Sequence, residues 1–544
     1  MAYIDNDQVW TLDLRNPTAK PAQLFHGRGR PGSLTWSPNG QYLAWASGRG
    51  DHGFIGVFNF GTHMLSYLDP STEIDHDPAW SPDSRSVAFL RLPSHTPGVD
   101  FRPHRSGPPW SIRIADVATG LGRQIWISHP GPGSVFRGVE SGRPLFWAAD
   151  NRIVFPWEGT GWLHLYSVST SGGSATDLTP GNFIVDYVTF SHDRRTLVYS
   201  SNENDIDRRH LWQVSVNGGP PRQLTHGRGI EVIPVLSRNS TLAVLRSDAR
   251  LPLRPAIVSA HGALRDIAPQ MIPTSFPASR LVTPQEVIFS AADGLRIHGQ
   301  LFLPASGHSA EKFPAIVFVH GGSRRQMLLG WHYMEYYSNA YAMNQYLVSL
   351  GYVVLSVNYR SGIGYGLDFR EALHYGADGA SEFNDVEGAG LYLRGLSDVQ
   401  PNHIGVWGGS YGGYLTALAL ARASNLFAAG VDLHGVHDWN LELQNWGPWN
   451  PLAHPEAARI AWQSSPLADI KTWKSPVLLI QGDDDRNVQF ANTVRLAVAL
   501  RAAGIPFEEH VFPDEIHDFL LNRDWLIAYT LGAQFFNRYL KGLP

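Results

Sequence analysis

The chain has 544 residues, 43% of them hydrophobic and 17% charged, with a formal net charge of −5 and no cysteine. A length of this order suggests two to four globular domains with sizeable cores, and the lack of cysteine excludes disulfides, thiolate metal sites and a thiol nucleophile. No run of lysine or arginine exceeds two residues, so nothing supplies the counterion release that drives nucleic-acid binding; no apolar stretch reaches bilayer length, and the opening residues, with Asp5 and Asp7, lack the apolar segment of a secretion signal.

Taken in chain order, the first apolar segments, 9–14 and 22–25, read as the last two strands of an incomplete repeat. Five similar motifs follow, starting at Trp36, Trp80, Trp147, Phe190 and Leu236, with spacings of 44, 67, 43 and 46 residues. Each places a large apolar residue before a Ser/Ala-x-Asn/Asp turn and a short apolar strand after it, as in Trp36-Ser37-Pro38-Asn39-Gly40 before Leu43-Ala44-Trp45. Asn and Asp suit such turns because they tolerate left-handed backbone and bond their own chain. A period of about 40–45 residues with several strands per repeat predicts a β-propeller of about six to seven blades over residues 1–275. The long spacing holds an insertion at residues 92–110 with five prolines, which reads as a loop. Propellers serve many functions, so this half decides none.

The texture changes near Arg280. Residues 285–304 read as a hairpin turning at Asp293-Gly294. Beyond it, buried strands at 315–319, 353–357, 404–407, 429–433 and 477–480 alternate with helical patterns at 382–393 and 414–423. That alternation predicts a doubly wound, mainly parallel sheet in a second domain, 276–544.

The chemistry lies at the ends of these strands. Gly408-Gly409-Ser410-Tyr411-Gly412 is a G-x-S-x-G sequence between a strand and a helix, the setting of a nucleophile elbow. A serine nucleophile needs a base, and the base an orienting acid, in the chain order Ser, acid, His for an α/β-hydrolase. Asp485, in Gly482-Asp483-Asp484-Asp485, follows the strand at 477–480, with Asp483 and Asp484 as rivals. His517 follows the strand at 507–512, with His510 as its rival. Three consecutive carboxylates cannot all face one ion, so no metal is expected. His434 and His437 precede the acid and are expected to shape the pocket. An oxyanion hole is assigned to the Tyr411 amide and to the loop His320-Gly321-Gly322. Trp439, Trp446 and Trp449 are candidates for an aromatic specificity pocket, against the alternative of simple packing. Arg324 or Arg325 could read a substrate carboxylate, against the alternative of an internal ion pair.

Taken together, His320-Gly321-Gly322, Asn358-Tyr359-Arg360-Ser361 with Gly364-Tyr365-Gly366, Asp385, Gly409-Ser410-Tyr411-Gly412-Gly413, Gly482 with Asp485 and Val488, and Glu515-Ile516-His517 resemble the prolyl oligopeptidase family of serine peptidases. The repeats resemble TolB-like propeller blades. Within the family the resemblance is nearest the branch of acylaminoacyl peptidases and bacterial dipeptidyl-peptidase-like enzymes. There His320 leads the oxyanion loop, although Ser323 replaces the usual proline, and no Glu-Glu pair for a free amino terminus is found in the propeller motifs. The resemblance implies a peptidase acting on short peptides through an acyl-enzyme without a cofactor, with the propeller covering the active site. An esterase or amidase using the same triad is the alternative, and a binding protein with a vestigial site a third reading. No nucleic-acid or membrane partner is expected, the oligomeric state is open, and the expected location is the cytoplasm, or the periplasm if a leader was trimmed.

Overall fold

The computed structural model describes residues 1–94, 101–305 and 312–543. The repeat motifs open successive antiparallel sheets, each of four strands, beginning at Arg30–Trp36, Ile74–Trp80, Phe146–Ala148, Val185–Phe190 and Ile230–Leu236. The first two sheets join edge to edge where Gly53 pairs with Ile74. The turn motif has a concrete cause. The hydroxyls of Ser37, Ser81 and Ser191 donate to Asn39, Asp83 and Asp193 at 2.7, 2.6 and 2.6 Å, and each accepts the amide five residues on at 2.9 Å. One side chain thus closes the turn and fixes the strand that follows. Trp80 bridges neighbouring blades, its indole donating to Thr35 O at 3.0 Å, whereas Trp36 stays 41% exposed and stacks on Phe60.

Two details differ from the sequence reading. The incomplete repeat has three strands, not two, because Ala2–Asp5 pairs antiparallel with Gln8–Thr11 ahead of Ala22–Gln23. Residues 95–100 of the Pro-rich insertion lie outside the described residues.

The C-terminal sheet has eight strands: Gln285–Ser290, Arg296–Phe302, Phe313–Val319, Val353–Asn358, Val399–Gly409, Ala429–Leu433, Val477–Gly482 and Phe507–Phe512. Their spatial order is first, second, fourth, third, then fifth to eighth. The opening hairpin is antiparallel and the remaining strands run parallel. The parallel strands are apolar on both faces, as a sheet covered by helices requires. One face packs Phe383–Gly395 and Tyr411–Arg422 around Val317, Val406 and Leu415. The other packs Glu335–Ser349 and Asn522–Lys541 around Phe318, Trp407 and Phe536.

The propeller side meets the loops leaving the C-terminal ends of these strands. Asn202 Nδ2 donates to Gly364 O at 2.9 Å, Arg209 Nη2 to Gln326 Oε1 at 2.7 Å, and Ser247 Oγ to Trp331 O at 2.6 Å. Arg370 grips Glu158 with both terminal nitrogens. In a parallel α/β sheet that edge is where ligands bind.

Candidate active site

Ser410 joins the strand Val399–Gly409 to the helix Tyr411–Arg422 in a backbone conformation of φ 59° and ψ −121°. A non-glycine residue there is strained, and surrounding structure must enforce it. The enforcement is visible. The Ser410 amide donates both to Leu433 O at 2.9 Å and to His434 Nδ1 at 3.0 Å. Gly412 lies so close to Val319 O that a β-carbon would collide with it. The serine is only half-buried, and the N-terminus of a 12-residue helix begins at the next residue, favouring negative charge.

The Asp485 carboxylate is oriented by four donors. Oδ1 accepts the amides of Asn487 and Val488 at 2.9 Å, while Oδ2 accepts Gln481 Nε2 at 3.0 Å and His517 Nδ1 at 2.7 Å. Burial pushes this carboxyl up, but the hydrogen bond and charge of His517 outweigh it and hold the group below its ordinary value. A carboxylate on Nδ1 leaves His517 Nε2 as the base atom. The rival carboxylates are engaged elsewhere, Asp483 with the Asp514 amide at 2.7 Å and Asp484 with Arg486 at 2.7 Å.

His434 was expected to shape the pocket, and the structure gives it a more specific place. Its ring lies 4.2 Å from that of His517. Burial, followed by the charge of His517, pushes its pKa well below the ordinary value, so it is neutral. Because Nδ1 accepts the Ser410 amide, the proton sits on Nε2, which donates to the Tyr336 hydroxyl at 3.3 Å. Glu382 was missed by the sequence reading. Fully buried, it accepts the Tyr411 hydroxyl, the Gly376 amide at 3.1 Å and the Ser361 hydroxyl at 3.3 Å, and burial raises its pKa. It fixes the residue after Ser410. Nothing in the sequence marked this glutamate apart from its place at the start of a helical pattern.

The loop at His320 is brought against the elbow. A β-carbon on Gly321 would stand 3.2 Å from Ser410 Cβ and 2.8 Å from Gly409 O. His320 Nδ1 bonds Gly321 O at 2.9 Å, and burial lowers its pKa to about 3, so the ring is neutral and donates. Tyr411, as the first helical residue, has an amide with no intrahelical acceptor.

The two arginines diverge. Arg324 spends its guanidinium on Ser361 O at 2.8 Å, on the Glu371 carboxylate at 3.0 and 3.1 Å, and on the Tyr375 hydroxyl at 3.1 Å. It is therefore an internal ion pair, the alternative reading. Arg325 donates to Arg324 O at 2.9 Å, but its buried Nε has no partner. Among the tryptophans, Trp439 is fully buried, with ring centroids 5.9 Å from Tyr411 and 4.9 Å from Phe101 of the propeller insertion. Trp446 is 44% exposed and stacks on Phe101 at 5.9 Å. Among the described residues two groups present ligand atoms close enough to hold a metal, His434 with Asp485 and His517, and Asp207 with Glu286 and His298. In the first, Asp485 and His517 already bond each other.

The model of the prolyl oligopeptidase family matches residues 338–543, and that of the dipeptidyl peptidase IV N-terminal region matches residues 133–250. The dipeptidyl aminopeptidase BIII of Pseudoxanthomonas mexicana is 31% identical over 257 residues, 44% of this chain and 36% of that protein. Dipeptidyl-peptidase 5 of Porphyromonas gingivalis is 21% identical over 490 residues, 86% of this chain and 67% of that protein. The chain spans about a third of the length of several curated relatives that it matches, 35% and 36% in two cases. The solved structure of a Mycobacterium tuberculosis puromycin-hydrolyzing peptidase superimposes with a TM-score of 0.79 at 20% identity, covering 99% of this chain and 84% of that one. That likeness bears on the fold, a propeller with an α/β-hydrolase. Among the described residues no helix is long and apolar enough to cross a membrane.

Proposed function

The chain belongs to the prolyl oligopeptidase family, and from that premise we propose that it is a serine peptidase cleaving short peptides through an acyl-enzyme on Ser410. The observation that carries the reading is the His517–Asp485 bond of 2.7 Å, on the same sheet edge as a serine strained into the elbow conformation. His517 Nε2 takes the Ser410 proton as Oγ attacks the scissile carbonyl, then gives it to the leaving amine. Asp485 holds the ring in the tautomer this requires and stabilises the imidazolium. The amide of Tyr411 and the Gly321-Gly322 loop receive the oxyanion. Water then releases the acyl group by the same proton relay.

Trp439, beside Tyr411, and Trp446, beside Phe101, line the apolar pocket for the residue before the cleaved bond. Arg325, beside the Gly321-Gly322 loop and without a carboxylate partner among the described residues, is the candidate to read a substrate carboxylate. The division into domains at residues 275 and 276 belongs to the same reading, since Phe276, Leu281 and Val282 already pack on the hydrolase core.

The test is covalent labelling with a fluorophosphonate probe together with turnover of blocked and unblocked peptides. Ser410→Ala is expected to lose both, and His517→Ala to lose comparable turnover, because such residues act as a unit. Wild-type turnover by Ser410→Ala would dismiss the mechanism.

A further inference from the structure

Phe101 belongs to the insertion between the second and third repeat motifs, yet its ring lies among aromatic side chains of the hydrolase half. Its centroid stands 4.9 Å from that of Trp439, 5.9 Å from Trp446 and 5.6 Å from Tyr375. Trp439 and Trp446 are themselves 5.8 Å apart, so Phe101 and the two tryptophans close on one space. Two contacts fix that space beside the catalytic residues. Trp439 stands 5.9 Å from the ring of Tyr411, next in the chain to Ser410. Trp446 Nε1 donates to Asn487 O at 3.2 Å, in the loop whose amides hold Asp485. The space therefore lies between the nucleophile's helix and the loop of the orienting acid.

Phe101 fills this space as well as bordering it. Trp439, a wall of the pocket, is fully buried. A β-carbon on Gly376 would meet the Phe101 ring at 2.6 Å and the Tyr411 hydroxyl at 2.8 Å, so the ring reaches the backbone beside Tyr411 and leaves no room there for a methyl group. The ring is also held in place. The His104 amide donates to Glu371 Oε2 at 3.0 Å, Arg105 Nε donates to Glu371 O at 2.8 Å, and Arg105 pairs with Asp368 at 3.0 Å. Glu371 is paired in turn with Arg324, in the segment that follows Gly321-Gly322, so the insertion and the oxyanion loop share one footing.

We propose that Phe101 is a specificity-determining residue: supplied by the propeller, it shortens the pocket for the residue before the cleaved bond, so that small side chains are accepted there and aromatic ones rejected. The inference rests on the serine-peptidase reading above and on its assignment of that pocket. A space packed to the density of a protein interior has no volume for a second ring, and forcing one in displaces rotamers or backbone. A bulky side chain of the substrate meets Phe101 at the place where it would otherwise gain contact with Trp439. Because the obstacle arrives from the propeller, one element both covers the site and gauges the side chain that enters it.

The experiment measures kcat/KM for matched peptides with Gly, Ala, Leu, Phe or Trp before the cleaved bond, in wild type, Phe101→Ala and Phe101→Leu, with fluorophosphonate labelling followed in parallel. Wild type is expected to favour Ala over Phe by at least about tenfold, the discrimination that apolar volume supplies. Phe101→Ala is expected to raise the Phe-to-Ala ratio about 10- to 100-fold, and Phe101→Leu by a smaller factor. A wild type that favours Phe or Trp over Ala overturns the proposal. So does a ratio that neither substitution moves while labelling persists, since the ring then only packs. A uniform rise for every substrate in Phe101→Ala overturns it as well, because the ring would then block the site without reading the side chain. Should Phe101→Ala not melt cooperatively, the wild-type ranking and Phe101→Leu decide the matter. Failure of wild type to take the fluorophosphonate probe would instead remove the peptidase reading.

Discussion

Asp483, Asp484 and Asp485 leave one strand end with three different fates, and only Asp485 is held against a histidine. Asp485→Asn keeps the shape but favours the wrong tautomer of His517, so kcat is expected to fall by about 10³–10⁴-fold. Asp484→Asn, which removes a pairing with the exposed Arg486, is expected to change kcat less than about twofold, since exposed pairs contribute little. Steady-state kinetics on both variants separates them, and the reverse ranking would reassign the acid. Chain order pointed to this strand end, and the spacing of Asp485, three residues after Gly482 and three before Val488, was the ground for choosing it over its two neighbours. The role of His434 was not legible in the sequence, because accepting the Ser410 amide depends on the register of two parallel strands. A different residue-scale expectation concerns Glu203 in the propeller. Burial alone raises its carboxyl to about 7 from 4.5, and its Oε2 has no partner. A raised carboxyl pKa favours the folded state below the unfolded value, and that contribution is lost as pH climbs through the folded one. The side chain is only partly buried, so the effect is discounted to about 1 kcal/mol. Glu203→Gln should therefore melt higher than wild type at pH 8 and level with it at pH 4; a shift of equal size at both would remove the explanation.

The elbow is the element on which sequence and structure agree most closely. Glycines at 408, 409, 412 and 413 marked a crowded turn, and the crowding is found, but its partners were invisible. A β-carbon on Gly409 would run into the Tyr336 hydroxyl, a residue from the helix Glu335–Ser349 on the other face of the sheet. Gly409→Ala is expected to reduce the fluorophosphonate labelling rate at least tenfold, by displacing the elbow or Tyr336. If that contact is the cause, Gly409→Ala with Tyr336→Phe should recover part of the loss, a non-additive outcome measurable as a double-mutant cycle. Strict additivity would place the damage in the Ser410 backbone itself. The blades show the same division. Four of the five motifs carry the serine that bonds an Asn or Asp two residues on, so their turns were readable. The strand Ala2–Asp5 was not, because its exposed half carries no apolar alternation.

At the scale of the whole molecule, the contacts that set access to Ser410 join residues far apart in the chain. Glu158 and Arg370, separated by 212 positions, close the propeller onto the loop after the strand Val353–Asn358. Phe101 lies on Trp439 and Trp446, and the His104 amide donates to Glu371 at 3.0 Å. No local pattern announces such pairs, so the sequence predicted a cover without its fastenings. Together they place the propeller over the edge of the sheet that carries Ser410, Asp485 and His517. On the proposed peptidase reading, a cover there is expected to exclude bulk water, strengthening the oxyanion contacts, and to admit substrate by size. A folded domain of about 100 residues has a radius of gyration near 13 Å and is expected not to bring a backbone carbonyl to Ser410 past the propeller, whereas a short unfolded peptide is expected to thread in. Opening must break the buried Glu158–Arg370 pair, which is expensive once its partners separate, so brief and partial opening is favoured, and entry can limit kcat. The expected outcome is efficient cleavage of short casein fragments, a steep fall as fragments lengthen, and no cleavage of a folded protein of matched sequence content. Glu158→Gln weakens the fastening and should shift that length cut-off upward. Mass spectrometry of digests made with a graded fragment series reads both effects; equal cleavage of short, long and folded substrates by wild type would remove the gate while leaving the triad intact.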